Sequence, residues 1–486
     1  MDNLIYALLF IPLLVPAVSL FRFFSGRALW WFASVVAGAD FLGFAILFSR
    51  FYANSKWLSD GIRTREIPWS SAWEISFQFH LDYLSASLLL ALAFIFFLSI
   101  LNARQSFEQS RAKLAALCIY QAFLLGLVAA QDFSLSVVFL SGLLVPELLL
   151  MGWDEATDRA ATLKKHALSA SISSGILMIC VLFFSASFRA SVSHWFSLSN
   201  GDYELPYRNL AFLLFCLAIA LRMPIFPFQS RLGCIYRLQS IEHLLPQLCS
   251  ANIGFYILFR YGPNFFHQEL IAFSAILAWL ATAHIFYSIL YVARNAGHRE
   301  HIYGTQQIWN GLLLLGFVGF GSAGWVGAWS LYLMQLLVVA LALFVAIAVE
   351  RRGKKLSSET LIAAPAYSAA SVFATVALLG TPITVAFYSI ALILWSGMEI
   401  HRAATLPIIL SLPLYLWIGV RRLFFRYSGT ETVSSGDSKV LELDRTEAAV
   451  LFSIGLVILV CGIWPDLLMK PIGIEVGQYL QVGGNK

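Results

Sequence analysis

The feature that most constrains this chain is the recurrence of apolar runs near 20 residues from one end of the sequence to the other. A helix of that length crosses the hydrocarbon core of a bilayer. The runs are unbroken, whereas the strands of a membrane barrel would alternate apolar and polar residues. Only 12% of the residues are charged, about half the share found in soluble domains. The sequence therefore predicts an all-α integral membrane protein.

Fourteen membrane spans are expected within one polytopic domain, residues 1–486. The first apolar run lacks the basic start of a secretory signal, so we interpret it as a true span. The predicted spans are residues 3–23, 28–49, 83–102, 112–131, 133–152, 166–186, 209–228, 240–260, 268–292, 303–322, 325–349, 365–398, 403–425 and 447–466.

The longest polar connection, residues 50–82, follows the second span. Its last part, residues 73–80, alternates large apolar side chains with polar ones. That period of two predicts a short strand or hairpin lying on the membrane surface.

Lysine and arginine are distributed unevenly between the two sides of this topology. About two thirds of the 32 basic residues fall in odd-numbered loops, and cytoplasmic loops carry the excess of positive charge. We therefore expect both termini outside the cytoplasm. The setting that fits such a chain is the bacterial inner membrane.

Several function classes lack their sequence signals. The six cysteines form no CxxC or Cys/His pattern, and the chain has no GxGxxG, Walker motif or basic nucleic-acid patch. We therefore predict no metal site, no cofactor, no nucleotide and no nucleic-acid partner.

Two of the predicted spans contain helix-breaking residues at membrane depth. The seventh holds Pro224 and Pro227 just after Arg222, and the twelfth holds Gly380 and Pro382. The breaks lie five spans apart, so spans 4–8 and 9–13 would place them equivalently in two inverted five-helix repeats. Paired broken helices mark ion or substrate pathways in membrane proteins.

Charged residues inside spans are costly, and they are candidates for an ion pathway. Arg222 and Glu147, which follows Pro146 in the fifth span, could pair across the bundle. The alternatives are an arginine and a carboxylate that reach the headgroups. Further candidates are Glu242 and His243, which could hydrate a cavity mouth or form a solvated helix start. His284 in the ninth span could be a proton relay or a packing histidine.

Short motifs distributed over nearly the whole chain resemble the antiporter-like membrane subunits of respiratory complex I and of multisubunit cation/proton antiporters. These motifs are FHLDYLS (79–85), QDFSLSVVFLSGLLVPELLLMG (131–152), LKKHALSASISSGILM (163–178), LALRMPIFPFQSRL (219–232), GTPITVAF (380–387), YLWIGVRRLFF (415–425) and GIWPDLLM (462–469). The resemblance implies fourteen helices and two inverted half-channels. Their expected boundaries are 1–102, 112–260, 268–425 and 447–466 for the N-terminal helices, the two repeats and the last helix.

The resemblance also implies a row of buried lysines with one glutamate across the membrane midplane, and this chain departs from it. The glutamate position falls on Ser141, and the lysine positions fall on Arg222, Asn252, Val339 and Ile390, with Gln335 where a histidine is expected. Most of these side chains cannot exchange a proton. An alternative is that Glu147 replaces the lost glutamate.

The resulting prediction is a divergent, non-catalytic membrane subunit of a complex I-like redox-driven assembly, with a scaffolding role or altered ion conduction. Its expected partners are the bilayer, other membrane subunits and quinone-reductase subunits. Two alternatives remain: a subunit of a multisubunit cation/proton antiporter, and the membrane partner of an inorganic-carbon pump.

Overall fold

The computed structural model describes residues 2–21, 24–53, 61–70, 75–153, 159–188, 208–229, 233, 236, 241–295, 297–350, 364–428 and 443–484. Almost all of these residues are helical. In chain order the helices are α1 Asp2–Phe10, α2 Leu14–Ser19, α3 Gly26–Ala53, α4 Tyr83–Asn102, α5 Arg104–Gln109, α6 Arg111–Ala129, α7 Phe133–Gly142, α8 Leu144–Gly152, α9 Arg159–Phe188, α10 Arg208–Arg222, α11 Ile241–Arg294, α12 His298–Val318, α13 Ser322–Glu350, α14 Pro365–Leu378, α15 Val385–Ile400, α16 Arg402–Ser428, α17 Arg445–Ile463 and α18 Asp466–Gly484.

Nine helical segments of the described chain are long and apolar enough to cross a membrane. Three shorter apolar segments accompany them: Asn3–Ser19, Pro365–Leu378 and Val385–Ile400. The all-α membrane architecture is therefore confirmed. The count of fourteen spans and the inverted repeats stay predictions.

Helix α11 joins two spans that the sequence predicts as separate elements. Its 54 residues would extend about 80 Å at 1.5 Å per residue, more than twice the thickness of a bilayer core. The helix is kinked at Phe266, whose φ of −131° and ψ of 36° are not helical, three residues after Pro263. A kink therefore replaces the expected loop, because proline removes one helical hydrogen bond and crowds the preceding turn.

The two predicted helix breaks are present. Helix α10 ends at Arg222, and turns follow through residue 229. The twelfth predicted span is divided into α14 and α15. Gly380 lies at the second break with a φ of +65°, a conformation that glycine adopts without steric cost.

The segment before α4 contains two short antiparallel pairs. Strand β1 (Ile62–Arg63) pairs with β4 (His80–Leu81), and β2 (Ile67–Ser70) pairs with β3 (Ile75–Phe77). These pairs confirm the predicted hairpin, although residues 73 and 74 of the alternating segment lie outside the described residues.

The chain divides into two compact units. The first contains Met1–Pro224, Leu245–Phe273 and Pro471–Lys486, and the second contains Ile225–Leu244 and Ser274–Lys470. In the second unit, the most apolar stretch of α13 is entirely buried, and α13 packs against α12, α14 and α15. In the first unit, α3 packs against α4 and α9 packs against α10.

Candidate functional site

A buried charged centre lies in the first unit, built from three helices. Glu147 is in the first turn of α8, His166 is on α9, and Arg222 is the last residue of α10. The Nε2 atom of His166 is 3.0 Å from Oε1 of Glu147, and one terminal nitrogen of Arg222 is 3.9 Å from Oε2. All three side chains are 0% exposed. We call these three residues the Glu147 centre.

The proline that ends α10 fixes the position of Arg222. Pro224 cannot continue the helix, and Met223 closes the last turn by donating its N–H to the carbonyl of Ile219 at 2.7 Å. Gly254 of α11 packs directly on this turn. A Cβ atom at Gly254 would lie 2.8 Å from the Met223 nitrogen, so only glycine allows α11 to approach the break so closely.

Three polar residues of α11 lie near this centre or along the same stretch of helix. Ser250 is 0% exposed, and its hydroxyl has no protein hydrogen-bond partner among the described residues. Asn252 is 1% exposed, and its amide donates to the carbonyl of Leu248 at 3.0 Å within its own helix. Gln247 is 0% exposed, and neither of its amide atoms has a protein hydrogen-bond partner among the described residues. Polar groups of this kind are commonly satisfied by buried water.

Ser141 is not brought to the Glu147 centre. It is exposed, and its hydroxyl donates to the carbonyl of Val137 at 2.8 Å in the same helix. Glu147 lies six residues further on, beyond the junction between α7 and α8, and is buried. The buried carboxylate of this segment is therefore at Glu147.

The second unit carries a buried polar group made mainly of amides. Gln335 on α13 donates its amide to Oδ1 of Asn310 at 2.8 Å and to the backbone carbonyl of Gln306 at 3.3 Å. Tyr236 donates its hydroxyl to the Gln306 side chain, and Gln307 is also buried. We call Gln306, Gln307, Asn310 and Gln335 the amide cluster.

The remaining candidates of the second unit have different surroundings. His284 is 0% exposed, and its Nδ1 accepts the backbone N–H of Phe226 at 3.1 Å, next to Pro227 of the first break. Val339 is buried and Ile390 is half-buried. Glu242 and His243 belong to the first turn of α11, but their side chains lie outside the described residues.

The two breaks also differ in the burial of their residues. Pro224 is buried, whereas Pro227 and Pro382 are exposed. At the second break, the hydroxyl of Thr384 donates to the carbonyl of Thr381 at 3.0 Å, which closes the turn between α14 and α15.

The first unit contains a second buried ion pair, which was not predicted from the sequence. Asp82 caps the N-terminus of α4 by accepting the N–H of Ser85 at 2.7 Å, and it also accepts a hydrogen bond from Arg260. Burial disfavours the charge of Asp82, but the Arg260 guanidinium beside it holds the pKa of that carboxyl well below its usual range. Asp82 lies in the FHLDYLS motif, and only the depth of the two residues in the fold distinguishes them from surface residues.

Two further titratable groups surround this ion pair. Burial, reinforced by the positive charge of Arg260, lowers the pKa of His80 to about 4. Glu475 of α18 accepts the N–H of Tyr83 at 3.0 Å. Burial and the negative charge of Asp82 raise the pKa of Glu475 well above its usual range. The ion pair thus joins the start of α4 to α11, and Glu475 joins α18 to α4.

Known proteins that resemble this chain are membrane subunits. The chain is 23% identical over 462 residues to NAD(P)H-quinone oxidoreductase chain 4 2 of Thermosynechococcus vestitus, covering 91% of this chain and 85% of that relative. Its fold is similar to a chain of respiratory complex I from Thermus thermophilus, with a TM-score of 0.87 and 20% identity over 99% of this chain and 100% of that chain. It is also similar to a chain of the Mrp complex from Dietzia sp. DQ12-45-1b, with a TM-score of 0.81 and 17% identity over 99% and 100%.

The family model described as NADH:quinone oxidoreductase/Mrp antiporter, transmembrane, matches residues 130–412. This range is more than half of the chain, and it includes the Glu147 centre, the amide cluster and both helix breaks. The chain belongs to the NADH:quinone oxidoreductase/Mrp antiporter transmembrane family.

Proposed function

We propose that this chain is an antiporter-like membrane subunit of a complex I-like, redox-driven assembly, and that its own path for protons is interrupted. The full-length similarity to a quinone oxidoreductase subunit supports the first part. The contrast between the Glu147 centre and the amide cluster supports the second. The chain itself binds neither nucleotide nor quinone in this proposal.

The Glu147 centre can hold and release a proton. Glutamate and histidine both exchange protons, whereas the arginine stays charged and acts as a fixed positive partner. The three groups lie on three separate helices, so a small movement of α9 or α10 would change their contacts. In this proposal Glu147 takes the place of the glutamate that the resemblance assigns to Ser141, and Arg222 takes the place of a lysine.

The amide cluster cannot hold and release a proton. Glutamine and asparagine side chains donate and accept hydrogen bonds but do not titrate in the range of proteins. They can line a file of water, yet they offer no group whose charge changes as a proton passes. Val339 and Ile390, at the two other relay positions of this unit, are apolar. The amide cluster is the single observation that carries the proposal of an interrupted path.

Affinity purification of the tagged chain from its native membrane tests the assignment to a redox-driven assembly. We expect redox and iron–sulfur subunits among the proteins that remain bound in mild detergent. Recovery of a set of small antiporter subunits instead would favour a cation/proton antiporter. Recovery of a soluble zinc protein would favour an inorganic-carbon pump, and either result would refute the proposal.

A further inference from the structure

A buried acid in α3 lies outside both the Glu147 centre and the part of the chain that the family model matches. Asp40 is 14 residues after Gly26 and 13 residues before Ala53, the two ends of α3. At about 1.5 Å per residue, it is about 20 Å from either end of the helix. Its residue is 0% exposed. A carboxyl group therefore lies near the middle of a membrane-spanning helix, packed inside the protein.

One polar side chain contacts this carboxyl. Gln121 of α6 donates its amide Nε2 to Oδ2 of Asp40 at 2.7 Å. The other oxygen, Oδ1, is buried and has no hydrogen-bond partner among the described residues. The neighbouring buried positions of α3 are Ala37 and Phe44. Gln121 thus supplies one neutral hydrogen-bond donor to the carboxyl.

No basic residue of the described chain forms an ion pair with Asp40. Helix α4, which packs on α3, contains no charged residue, and α2 contains none either. On α5, Arg104 pairs with Glu108 at 2.9 Å, and Glu108 lies beside Gly26 at the far end of α3. On α6, the basic residues are confined to the first turn, and the titratable neighbour of Asp40 is the thiol of Cys118. Among the described residues, Asp40 therefore has no counter-ion.

A carboxylate in such surroundings would be strongly disfavoured. Burying an isolated charge costs far more than burying a neutral carboxylic acid, and a group in that position takes up a proton instead. The hydrogen bond from Gln121 is compatible with this form, because Oδ2 can act as the carbonyl oxygen while Oδ1 carries the proton.

We propose that Asp40, held by Gln121, is a separate proton-binding site within the N-terminal helices of this subunit. Its ligand is a single proton, which binds at the buried carboxyl and exchanges with the solvent. The proposed site depends only on the geometry of α3 and α6, so it does not depend on the proposed function.

Infrared difference spectroscopy of the purified full-length protein tests this site at neutral pH. A protonated carboxyl has a C=O stretching band that is separate from the bands of carboxylates and amides, and the band shifts when the proton is exchanged for deuterium. We expect such a band in the wild-type protein, shifted in D2O and lost in Asp40→Asn. Glu475→Gln is the matched control, because it removes another buried carboxyl and should leave the Asp40 band in place.

A second variant separates the site from a folding defect. Gln121→Leu removes the hydrogen bond but keeps the acid, so the band should remain and move to the frequency of a less hydrogen-bonded carboxyl. A spectrum that is unchanged in Asp40→Asn would overturn the proposal. A band that is lost in Asp40→Asn but does not respond to D2O would also overturn it, because the proton would then be permanently enclosed.

Discussion

The contact between Arg222 and Glu147 gives the sharpest test of the Glu147 centre. The two side chains are 3.9 Å apart and fully buried. At an effective dielectric constant of about 20, two unit charges at that distance attract each other by about 4 kcal/mol. Removing one partner of a buried pair costs about 3–5 kcal/mol when the other charge stays buried without compensation, but Glu147 also contacts His166 at 3.0 Å. We therefore expect Arg222→Ala to lower the free energy of unfolding by about 3 kcal/mol, the lower end of that range.

The contact between Arg222 and Glu147 also predicts which substitutions should cost less stability. Arg222→Lys keeps the positive charge and should lose less stability than Arg222→Ala. In Arg222→Met combined with Glu147→Gln, no uncompensated charge remains, so the double variant should be more stable than the sum of the two single changes predicts, by about 0.5–3 kcal/mol. Arg402→Ala is the matched control, since Arg402 is exposed and surface changes usually stay within about 0.5 kcal/mol.

The buried cysteines provide the assay. Cys118, Cys180 and Cys249 are buried free thiols of the first unit, so a dye that fluoresces on reacting with thiols reports its thermal unfolding in detergent. The reasoning would be refuted by an Arg222→Ala protein that melts like the Arg402→Ala control, or by strict additivity in the double variant. Either result would mean that the arginine does not interact with Glu147 and reaches the membrane interface instead.

Two further predictions concern the ion pair of Asp82 and Arg260 at the N-terminus of α4. Arg260→Ala should cost about 3–5 kcal/mol because it leaves Asp82 buried without its counter-ion, and the same thiol assay checks this; a cost below about 0.5 kcal/mol would contradict it. His80 has its pKa lowered from 6.5 to about 4, so the unfolded chain binds its proton first as the pH falls. The contribution of His80 to the free energy of unfolding is therefore present above pH 6.5 and is lost between about pH 6.5 and 4, about 3 kcal/mol in total. His80→Gln should flatten that part of the dependence of stability on pH. An unchanged dependence in His80→Gln would contradict this prediction.

The membrane architecture and both helix breaks could be predicted because their signals are local. A run of apolar residues and a proline within it constrain the backbone regardless of what packs around them. The joining of two predicted spans into α11 was missed because Gly262, Pro263 and Asn264 together form the local signal of a turn. Proline there bends the helix instead of ending it, and the sequence does not distinguish these outcomes.

The composition of the Glu147 centre could be predicted only in part. Arg222 and Glu147 stand out because each is a charge within an apolar run. His166 follows two lysines near the start of a span, so the sequence gives no reason to place it at a buried carboxylate. Asp40 was overlooked although it is a charge in the middle of a predicted span, and its pairing with Gln121 depends on helix packing, which a single sequence does not reveal.

A measurement of proton flux through the isolated subunit is the direct test of whether its proton path is interrupted. The purified chain would be reconstituted into liposomes that contain a trapped pH dye, and a membrane potential or a Na⁺ or K⁺ gradient would be imposed. We expect no acidification above the leak of empty vesicles, because the amide cluster, Val339 and Ile390 offer no titratable group at the relay positions of the second unit. Robust acidification by the subunit alone, abolished by Glu147→Gln or Arg222→Ala, would contradict the account.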